Sequence, residues 1–329
     1  MKLSAFTVVD AYDSGPDPTP DRYGDVLRLA EAADQAGLSA FWIAEHHFQP
    51  GGICPCPPVL LVACGERTRR IRLGVLVSVL PFHRPIELAE QYAMVDRLTG
   101  GRLNLGVGSG YIPLEFEGFG IDPANKRERF DRNLETFLAA LDGKEVRAEE
   151  PTAVPVRINV LPIQRPHPPI WLAVQRREAI PFVARRDVSM ALVPYATVAN
   201  LTELGDQVRE FRAHLPPGSR AEVAVAVHVY AGSEPARARV ALQRYLDSRL
   251  RTQSAFYQEK VRRDPHHANA ATIEESGFAV FGDAREVAER LRDYARIGVD
   301  EVLGIFDFGG LDSREATRSV RELGAAFVN

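Results

Sequence analysis

Three polar residues at the end of an apolar run are the first candidates for chemistry in this chain. The segment Ser39–Phe48 reads SAFWIAEHHF, so a stretch typical of a buried strand ends in Glu45, His46 and His47. In parallel α/β folds, the loops at the carboxyl ends of the strands carry the reactive groups. One or both histidines are therefore candidates for a site, while a purely structural, hydrogen-bonded histidine pair remains the alternative.

The same three residues do not predict a metal site. Successive side chains on a strand point to opposite faces, so this run does not readily converge on one ion. The chain has no HExxH pattern and no pair of CxxC motifs to supply further ligands. Cys54, Cys56 and Cys64 give no disulfide framework, which fits a reducing compartment. Cys54 and Cys56 are either a reactive pair or small loop residues near the site.

Composition indicates a globular protein that binds a small molecule. The chain has 329 residues, of which 45% are hydrophobic and 26% charged, with a formal net charge of −4. That charge argues against a nucleic-acid or membrane-surface partner, because both depend on basic patches. The amino terminus does not resemble a secretory signal, and no apolar stretch approaches the length of a membrane span. We therefore expect a cytoplasmic protein.

The chain alternates short β-rich runs with amphipathic helices, a pattern typical of a parallel sheet. The predicted strands are Leu3–Val9, Ala40–Ala44, Ile71–Val77, Leu103–Val107, Ile170–Val174, Val188–Val193, Val223–Tyr230 and Val299–Phe306. The predicted helices between the earlier strands are Pro20–Ala36, Pro57–Arg67, Pro85–Leu98 and Lys126–Leu141.

Eight strands with intervening helices predict a closed (β/α)8 TIM barrel. A doubly wound sheet would open with GxGxxG after its first strand, but the residues there are Asp10-Ala11-Tyr12-Asp13. The segment Gly106–Gly110, GVGSG, follows the fourth strand and is not the full fingerprint. No repeat or linker is visible, so we expect residues 1–329 to form a single barrel domain.

Two insertions interrupt this order. Glu145–Pro169 is rich in proline and lacks a helical period, which predicts an extended approach to the fifth strand. Ser248–Gly277 is polar and follows the seventh strand and its helix. This second insertion is either disordered surface or, as we favour, a lid over the active-site face.

Several segments, in one order, resemble the bacterial luciferase-like flavin-dependent monooxygenases, and together they cover nearly the whole chain. They are WIAEHHF, the Leu80–Gly110 run LPFHRPIELAEQYAMVDRLTGGRLNLGVGSG, the Glu115–Asp122 run EFEGFGID, the Pro166–Trp171 run PHPPIW, and Phe281–Leu311. The Leu80–Gly110 run is the most specific of these.

The resemblance implies a TIM barrel that binds reduced FMN and inserts one oxygen atom from dioxygen into a small organic substrate through a flavin hydroperoxide. A separate reductase would supply the reduced flavin, because no nicotinamide fingerprint is visible. Related dehydrogenases use a deazaflavin instead and transfer hydride without dioxygen. A non-catalytic flavin-binding protein and a metal-dependent barrel hydrolase are further alternatives, although the ligand set for the hydrolase is missing. The family also suggests a homodimer.

The resemblance assigns roles around the flavin ring. His46 matches the histidine placed beside the reactive edge, where it acts as an acid or base. Leu76 and Val77 match the position of a non-proline cis peptide under the ring. Gly108 matches the strand end that faces carbon 4a, where it would leave open volume. Glu115 matches an acidic position near the site entrance.

The phosphate end of the flavin departs from the family pattern. Arg127 matches an arginine that reaches the phosphate, although it also belongs to a charged run typical of a solvated helix face. Ser109 stands where luciferases often carry a phosphate-binding arginine. Gln175 and Arg176 replace a small, hydroxyl-rich turn, so the phosphate site is either rebuilt around Arg176 or lost.

The substrate cannot be read from the sequence, because loop residues set the shape of the pocket. We expect its walls to include Phe82, Ile112, Trp171 and Phe308, although aromatic residues at such positions also serve as core.

Overall fold

The structure is a computed structural model that describes residues 1–11, 21–49, 51–149, 152–252 and 255–328. The strands of the described part are β1 (Lys2–Thr7), β2 (Ala40–Ile43), β3 (Arg72–Val79), β4 (Leu103–Gly108), β5 (Ile170–Val174), β6 (Ser189–Leu192), β7 (Val223–Ala231), β8 (Ala279–Gly282) and β9 (Glu301–Ile305).

Helices follow most of the strands. They are α1 (Arg22–Gln35), α2 (Pro57–Arg67), α3 (Pro85–Leu98), α4 (Pro113–Gly118), α5 (Lys126–Leu141), α6 (Ile180–Arg185), α7 (Leu201–His214), α8 (Pro235–Thr252), α9 (Ala255–Arg263), α10 (Ala270–Glu275), α11 (Ala284–Arg296) and α12 (Ser313–Val328).

Eight parallel strands close into a barrel in the order β1, β2, β3, β4, β5, β6, β7, β9 and back to β1. The strands are apolar and almost entirely buried, as expected when helices cover the outer face of a parallel sheet. The predicted (β/α)8 TIM barrel is therefore confirmed, and all eight predicted strands belong to it.

The ninth strand, β8, was not predicted. Its four residues pair with the second half of β7, from His228 to Ala231, while the first half of β7 pairs with β9. His228 lies where β7 changes partner, since it is in register with both Ile305 of β9 and Ala279 of β8. The residues of β8, AVFG, are all buried and do not alternate with polar residues, and a short apolar run does not by itself distinguish a strand from a buried helix segment.

The predicted helix bounds agree closely with the structure. Helices α2, α3 and α5 have the predicted limits, and two of them begin with proline, whose fixed φ suits the first turn. Helix α1 begins at Arg22, whereas the predicted first residue, Pro20, lies outside the described residues, as do Tyr12 and Asp13. Gly37 follows α1 with φ 75°, the left-handed conformation expected of a residue that ends a helix.

The two insertions have different structures. Glu145–Pro169 is irregular where it is described, with one antiparallel bridge between Val146 and Val156. Ser248–Gly277 contains the end of α8, helices α9 and α10 and a short 3-10 turn, so disordered surface is wrong for its described part. Movement of this segment as a lid stays a prediction. Within the described residues, no helix has the length and apolarity needed to cross a bilayer.

Candidate active site

His46 lies just beyond β2, buried between an acidic and a basic side chain. Its Nδ1 is 3.1 Å from Oε1 of Glu115, the third residue of α4. Its Nε2 is 3.3 Å from Nη1 of Arg249 on α8. Because a guanidinium only donates, Nε2 of His46 must accept in this contact. Nδ1 then carries the proton, and this N–H donates a hydrogen bond to the Glu115 carboxylate, which fixes the tautomer of the ring.

Burial lowers the pKa of His46, and the positive charge of Arg249 lowers it further. The hydrogen bond with Glu115 acts in the opposite direction. The net result is an imidazole that is neutral near pH 7 and presents an unprotonated Nε2. The lone pair of this nitrogen faces Arg249 and can accept a proton from a reacting group once that contact opens.

Glu115 has a different position from the predicted one. Its side chain is buried, and the same Oε1 that contacts His46 accepts a hydrogen bond from the backbone N–H of His47 at 3.0 Å. The expectation that this carboxylate lies at the site entrance is therefore wrong. Glu115 instead fixes the ring and the backbone of the histidine pair.

Glu45 forms a second, separate network beside the site. Its carboxylate contacts Nε2 of His83 at 2.8 Å and Nε2 of His47 at 3.1 Å, and it accepts hydrogen bonds from the Ser78 hydroxyl and the Val79 N–H. Burial raises the pKa of Glu45, but the hydrogen bonds with His47 and His83 outweigh burial and lower it to about 2. His47 therefore fits the structural alternative, whereas His46 does not share this network.

The edge between β3 and β4 carries the predicted cis peptide. The bond between Leu76 and Val77 is cis, and the register with β4 shifts between Val75 and Ser78. Gly108 lies against this turn, where an added Cβ would be 2.7 Å from Cγ2 of Val77. The expectation of open volume at Gly108 is therefore wrong, because the Val77 side chain occupies that space. Roles for Leu76, Val77 and Gly108 in cofactor binding stay predictions.

Positive charges gather beside the glycine-rich end of β4. Lys126 Nζ donates to the Gly110 carbonyl at 3.3 Å. Burial lowers the pKa of Lys126, and the charge of nearby Arg176 lowers it further. The charges of Lys126 and Arg176 act on each other, and a pair of cations of this kind can bind an anion. Ser109 immediately precedes Gly110 and is half-buried.

Arg127 is the second residue of α5. The sequence left two interpretations for it, a phosphate-binding arginine or part of a solvated helix face, and its surroundings have features of both. Its side chain is 52% exposed and pairs with Asp131 on the same helix, as on a solvated face. Its guanidinium also lies 3.9 Å from the centre of the Phe182 ring, and the guanidinium of Arg186 lies 3.4 Å from the same ring centre. Gln175 is exposed at the end of β5, one residue before Arg176.

An aromatic group surrounds a third buried histidine, after His46 and His47. The ring of His228 lies 4.8 Å from that of Tyr245, 5.0 Å from that of Phe308 and 5.5 Å from that of Tyr195. Burial and the charge of Arg249 lower the pKa of His228 to about 3. The predicted wall residue Phe308 thus lies with His228, and Arg249 links this group to His46.

The other predicted wall residues occupy different surroundings. Phe82 is half-buried against Phe119 and contacts His47, and Ile112 is fully buried just before α4. Trp171 is the second residue of β5 and packs edge-on against Trp42, with ring centroids 5.7 Å apart. Trp171 therefore belongs to the barrel core near the strand starts, and its prediction as a pocket wall is wrong.

Three residues of this region were missed by sequence reasoning. They are Lys126, Arg249 and His228. His228 had a visible signal, since it is the one ionisable residue in the apolar run Val223–Val229. Arg249 had none, because it lies among other arginines of a polar helix.

Neither a metal cluster nor a reactive cysteine pair is present in the described part of the chain. No group of three potential ligands converges there. Cys54 and Cys64 are buried and Cys56 is exposed, and all three are free thiols. Burial raises the pKa of Cys54 to about 12, so its thiolate is not accessible near neutral pH.

The sequence of this chain matches one family over most of its length. The sequence model of the luciferase-like monooxygenase family matches residues 1–301 of this chain. The chain belongs to this family.

Curated relatives within the family include named monooxygenases. The chain is 26% identical over 355 residues to the flavin-dependent trigonelline monooxygenase, oxygenase component, of Acinetobacter baylyi, a match that covers 99% of this chain and 96% of the relative. It is 43% identical over 131 residues to the 4-hydroxyprotoasukamycin monooxygenase of Streptomyces nodosus, covering 40% of this chain and 35% of the relative. Matches to two uncharacterised Sinorhizobium fredii proteins span 59% and 42% of those proteins.

Solved structures with the same fold use different cofactors. The oxygenating constituent of 3,6-diketocamphane monooxygenase from Pseudomonas putida, in complex with FMN, superposes with a TM-score of 0.79 at 18% identity, covering 99% of this chain and 98% of the other. The coenzyme F420 dependent tetrahydromethanopterin reductase of Methanopyrus kandleri superposes with a TM-score of 0.70 at 15% identity and the same coverage.

Proposed function

We propose that this protein is the oxygenase component of a two-component flavin-dependent monooxygenase. It would take reduced FMN from a separate reductase and use dioxygen to oxygenate a small organic substrate. The observation that carries this proposal is His46, buried and neutral, with Nδ1 bound to Glu115 and Nε2 directed to Arg249. The full-length relative whose name specifies an oxygenase component supports the same assignment.

Each part of the chain would contribute a defined task. Bound reduced flavin supplies the electrons that activate dioxygen. Lys126 and Arg176 would hold its phosphate, with Arg127, Ser109 and Gln175 beside them. Nε2 of His46 would accept and return a proton, and the buried surroundings of His46 would exclude water.

The assembly is also part of the proposal. We propose a single barrel domain in each chain and a homodimer of such chains, as the family resemblance suggests. The sedimentation coefficient of the purified protein at several concentrations would test the dimer, since a monomer of 36.4 kDa sediments more slowly.

The cofactor is tested by anaerobic titration with reduced FMN and, separately, with reduced riboflavin, which lacks the phosphate. We expect FMN to bind at least about tenfold more tightly, as one charge-assisted contact can provide. Arg176→Met should remove most of this difference. Arg177→Met is the matched control, because Arg177 pairs with Glu210 instead. Equal affinity for the two flavins would mean that the phosphate site is lost.

A parallel titration with the deazaflavin F420 separates the two branches of the superfamily. Preference for F420, with hydride transfer and no consumption of dioxygen, would replace the oxygenase assignment. Tight FMN binding without any oxygen reaction beyond that of free flavin would indicate a non-catalytic binding protein.

The role of His46 is tested with His46→Ala. Once a compound screen has identified an oxygenated substrate, we expect this variant to bind reduced FMN normally and to turn over about 10²–10⁴-fold more slowly. Full turnover would remove His46 from the mechanism.

A further inference from the structure

One buried row of residues on α8 contacts separate parts of the barrel. Its members follow one another at a spacing of four residues, so they lie above one another on one side of the helix. They are Ala241, Tyr245 and Arg249. Tyr245 packs on His228 of β7, with ring centroids 4.8 Å apart. Arg249 Nη1 lies 3.3 Å from Nε2 of His46, so one helix carries both contacts.

The remaining member of the row, Ala241, meets Gly309, which follows β9. Gly309 has φ 62°, and a Cβ added to it would overlap the backbone oxygen of Ala241. Rotation of a side chain cannot relieve such an overlap, because the oxygen belongs to the main chain. A displacement of the turn formed by residues 307–310 toward the helix therefore has to move α8 itself. Phe308 of the same turn lies 5.0 Å from His228, on which Tyr245 packs.

The turn begins with a buried carboxylate that belongs to an ionic cluster. Oδ2 of Asp307 accepts hydrogen bonds from Nη2 of Arg22 and from the Thr7 hydroxyl, each at 2.8 Å. Arg22 also donates to Asp10, to the backbone oxygen at 2.9 Å and to Oδ1 at 3.2 Å. The second carboxylate oxygen of Asp10 accepts from the Gly309 N–H at 3.3 Å. The cluster therefore holds both Asp307 and Gly309 to the end of β1 and the start of α1.

We infer that Asp307 and Gly309 are positioning residues for the proposed reaction. Through the ionic cluster they fix the turn of residues 307–310, on which α8 rests, and so they keep Arg249 at Nε2 of His46. The inference rests on the proposed function, in which this nitrogen accepts a proton.

The position of α8 matters because the charge of Arg249 acts on the protonation of His46. Arg249 lowers the pKa of His46, and a Coulomb interaction weakens with distance. If α8 moved outward, the pKa of His46 would rise and more of the ring would be protonated near neutral pH. A protonated ring cannot accept a proton from a reacting group. The turn thus keeps the ring ready to act without touching it.

The experiment is nitrogen NMR of the full-length protein labelled at histidine, recorded at pH 8. Burial raises the pKa of Asp307 to about 6, so at pH 8 its carboxylate is ionised and pairs with Arg22. His46→Ala identifies the signals of His46. Arg249→Gln gives the chemical shift of Nε2 in the absence of the guanidinium.

Loss of the support should reproduce the loss of the guanidinium. We expect Asp307→Asn, Arg22→Gln and Gly309→Ala each to move the Nε2 signal of His46 most of the way to its position in Arg249→Gln. Arg22→Lys should move it less, because lysine keeps the charge but not the paired donors.

Two variants are matched controls and should leave the Nε2 signal at its wild-type position. Asp25→Asn removes a carboxylate that also faces Arg22, 4.0 Å from Nη1, but that lies on α1 rather than on the turn. Gly100→Ala creates the same backbone strain at φ 67°, where no described atom lies within 4 Å of the added Cβ.

The outcomes separate this inference from the proposed function. A wild-type Nε2 signal in Asp307→Asn, or a signal that does not move even in Arg249→Gln, would overturn the inference. Circular dichroism identifies any variant that fails to fold, and Asp307→Asn and Arg22→Lys decide the question if Gly309→Ala is one of them. The NMR measurement needs neither flavin nor substrate. Failure to bind reduced FMN would therefore refute the proposed function and leave the contact between α8 and the turn standing.

Discussion

Replacing His228 should make the free energy of unfolding of this protein fall less steeply as the pH is lowered. Burial and the charge of Arg249 lower the pKa of His228 from 6.5 to about 3. The unfolded chain therefore binds a proton at pH values where the folded protein does not. The contribution of neutral His228 to the free energy of unfolding is fully present above pH 6.5 and is lost as the pH falls from 6.5 toward 3. At pH 5 the difference of 1.5 pH units from the unfolded value corresponds to about 2 kcal/mol.

The measurement is urea unfolding of wild-type protein and His228→Leu between pH 7.5 and pH 5. All other titrating groups are common to both proteins, so the difference between their stabilities isolates His228. We expect the wild type to lose about 2 kcal/mol more than the variant over this range. His214→Leu, at an exposed histidine on α7, should change nothing in this comparison. Parallel stability curves for wild type and His228→Leu would refute the reasoning, because a histidine that protonates equally well in the folded state has no such effect.

Three further predictions concern other groups of the site. Glu45→Gln should lower the free energy of unfolding by about 3 kcal/mol at neutral pH, as measured by urea unfolding. The difference from wild type should shrink as the pH falls from 4.5 toward 2, and a constant difference would contradict the low pKa of Glu45. Iodoacetamide should label Cys56 in the folded protein and spare Cys54 and Cys64, since burial raises the pKa of both to about 12; peptide mass spectrometry would expose the error if Cys54 were modified before unfolding. Glu115→Gln should lower the pKa of His46, so the acidic limb of its pH–turnover profile should move to lower pH, whereas an unmoved limb would mean that the carboxylate does not act on the ring.

The elements of the barrel are predictable because they depend on local patterns. Helices α2 and α3 begin at proline, and α3 is followed by glycines with positive φ. Proline and glycine at these positions are local signals for helix ends, so the helix bounds can be predicted from the sequence. Strands such as β5 are apolar runs between such signals. The strand β8 is a short apolar run without alternation, which does not distinguish a strand from a buried helix segment, and it pairs with His228–Ala231 of β7.

The site is less predictable because its contacts join distant parts of the chain. His46 is separated by 69 residues from Glu115 and by 203 from Arg249, and no local pattern determines which side chains meet over such separations. The strand end identified His46 as a candidate, and the family resemblance identified the cis bond between Leu76 and Val77. Neither indicated that Glu115 would be buried, since an acidic residue in a loop is usually exposed.

The contact between Arg249 and His46 depends on the length of helix α8. Arg249 is fourteen residues beyond Pro235, which places it about 21 Å along the helix axis. Each residue added to or removed from that stretch would rotate the guanidinium by about 100° around the axis and shift it by about 1.5 Å. A single deletion anywhere in the first three turns would therefore swing the charge away from His46 while leaving every residue of the site unchanged. The number of residues between Pro235 and Arg249 therefore sets both the distance and the direction of the guanidinium, and the site depends on that number as well as on its side chains.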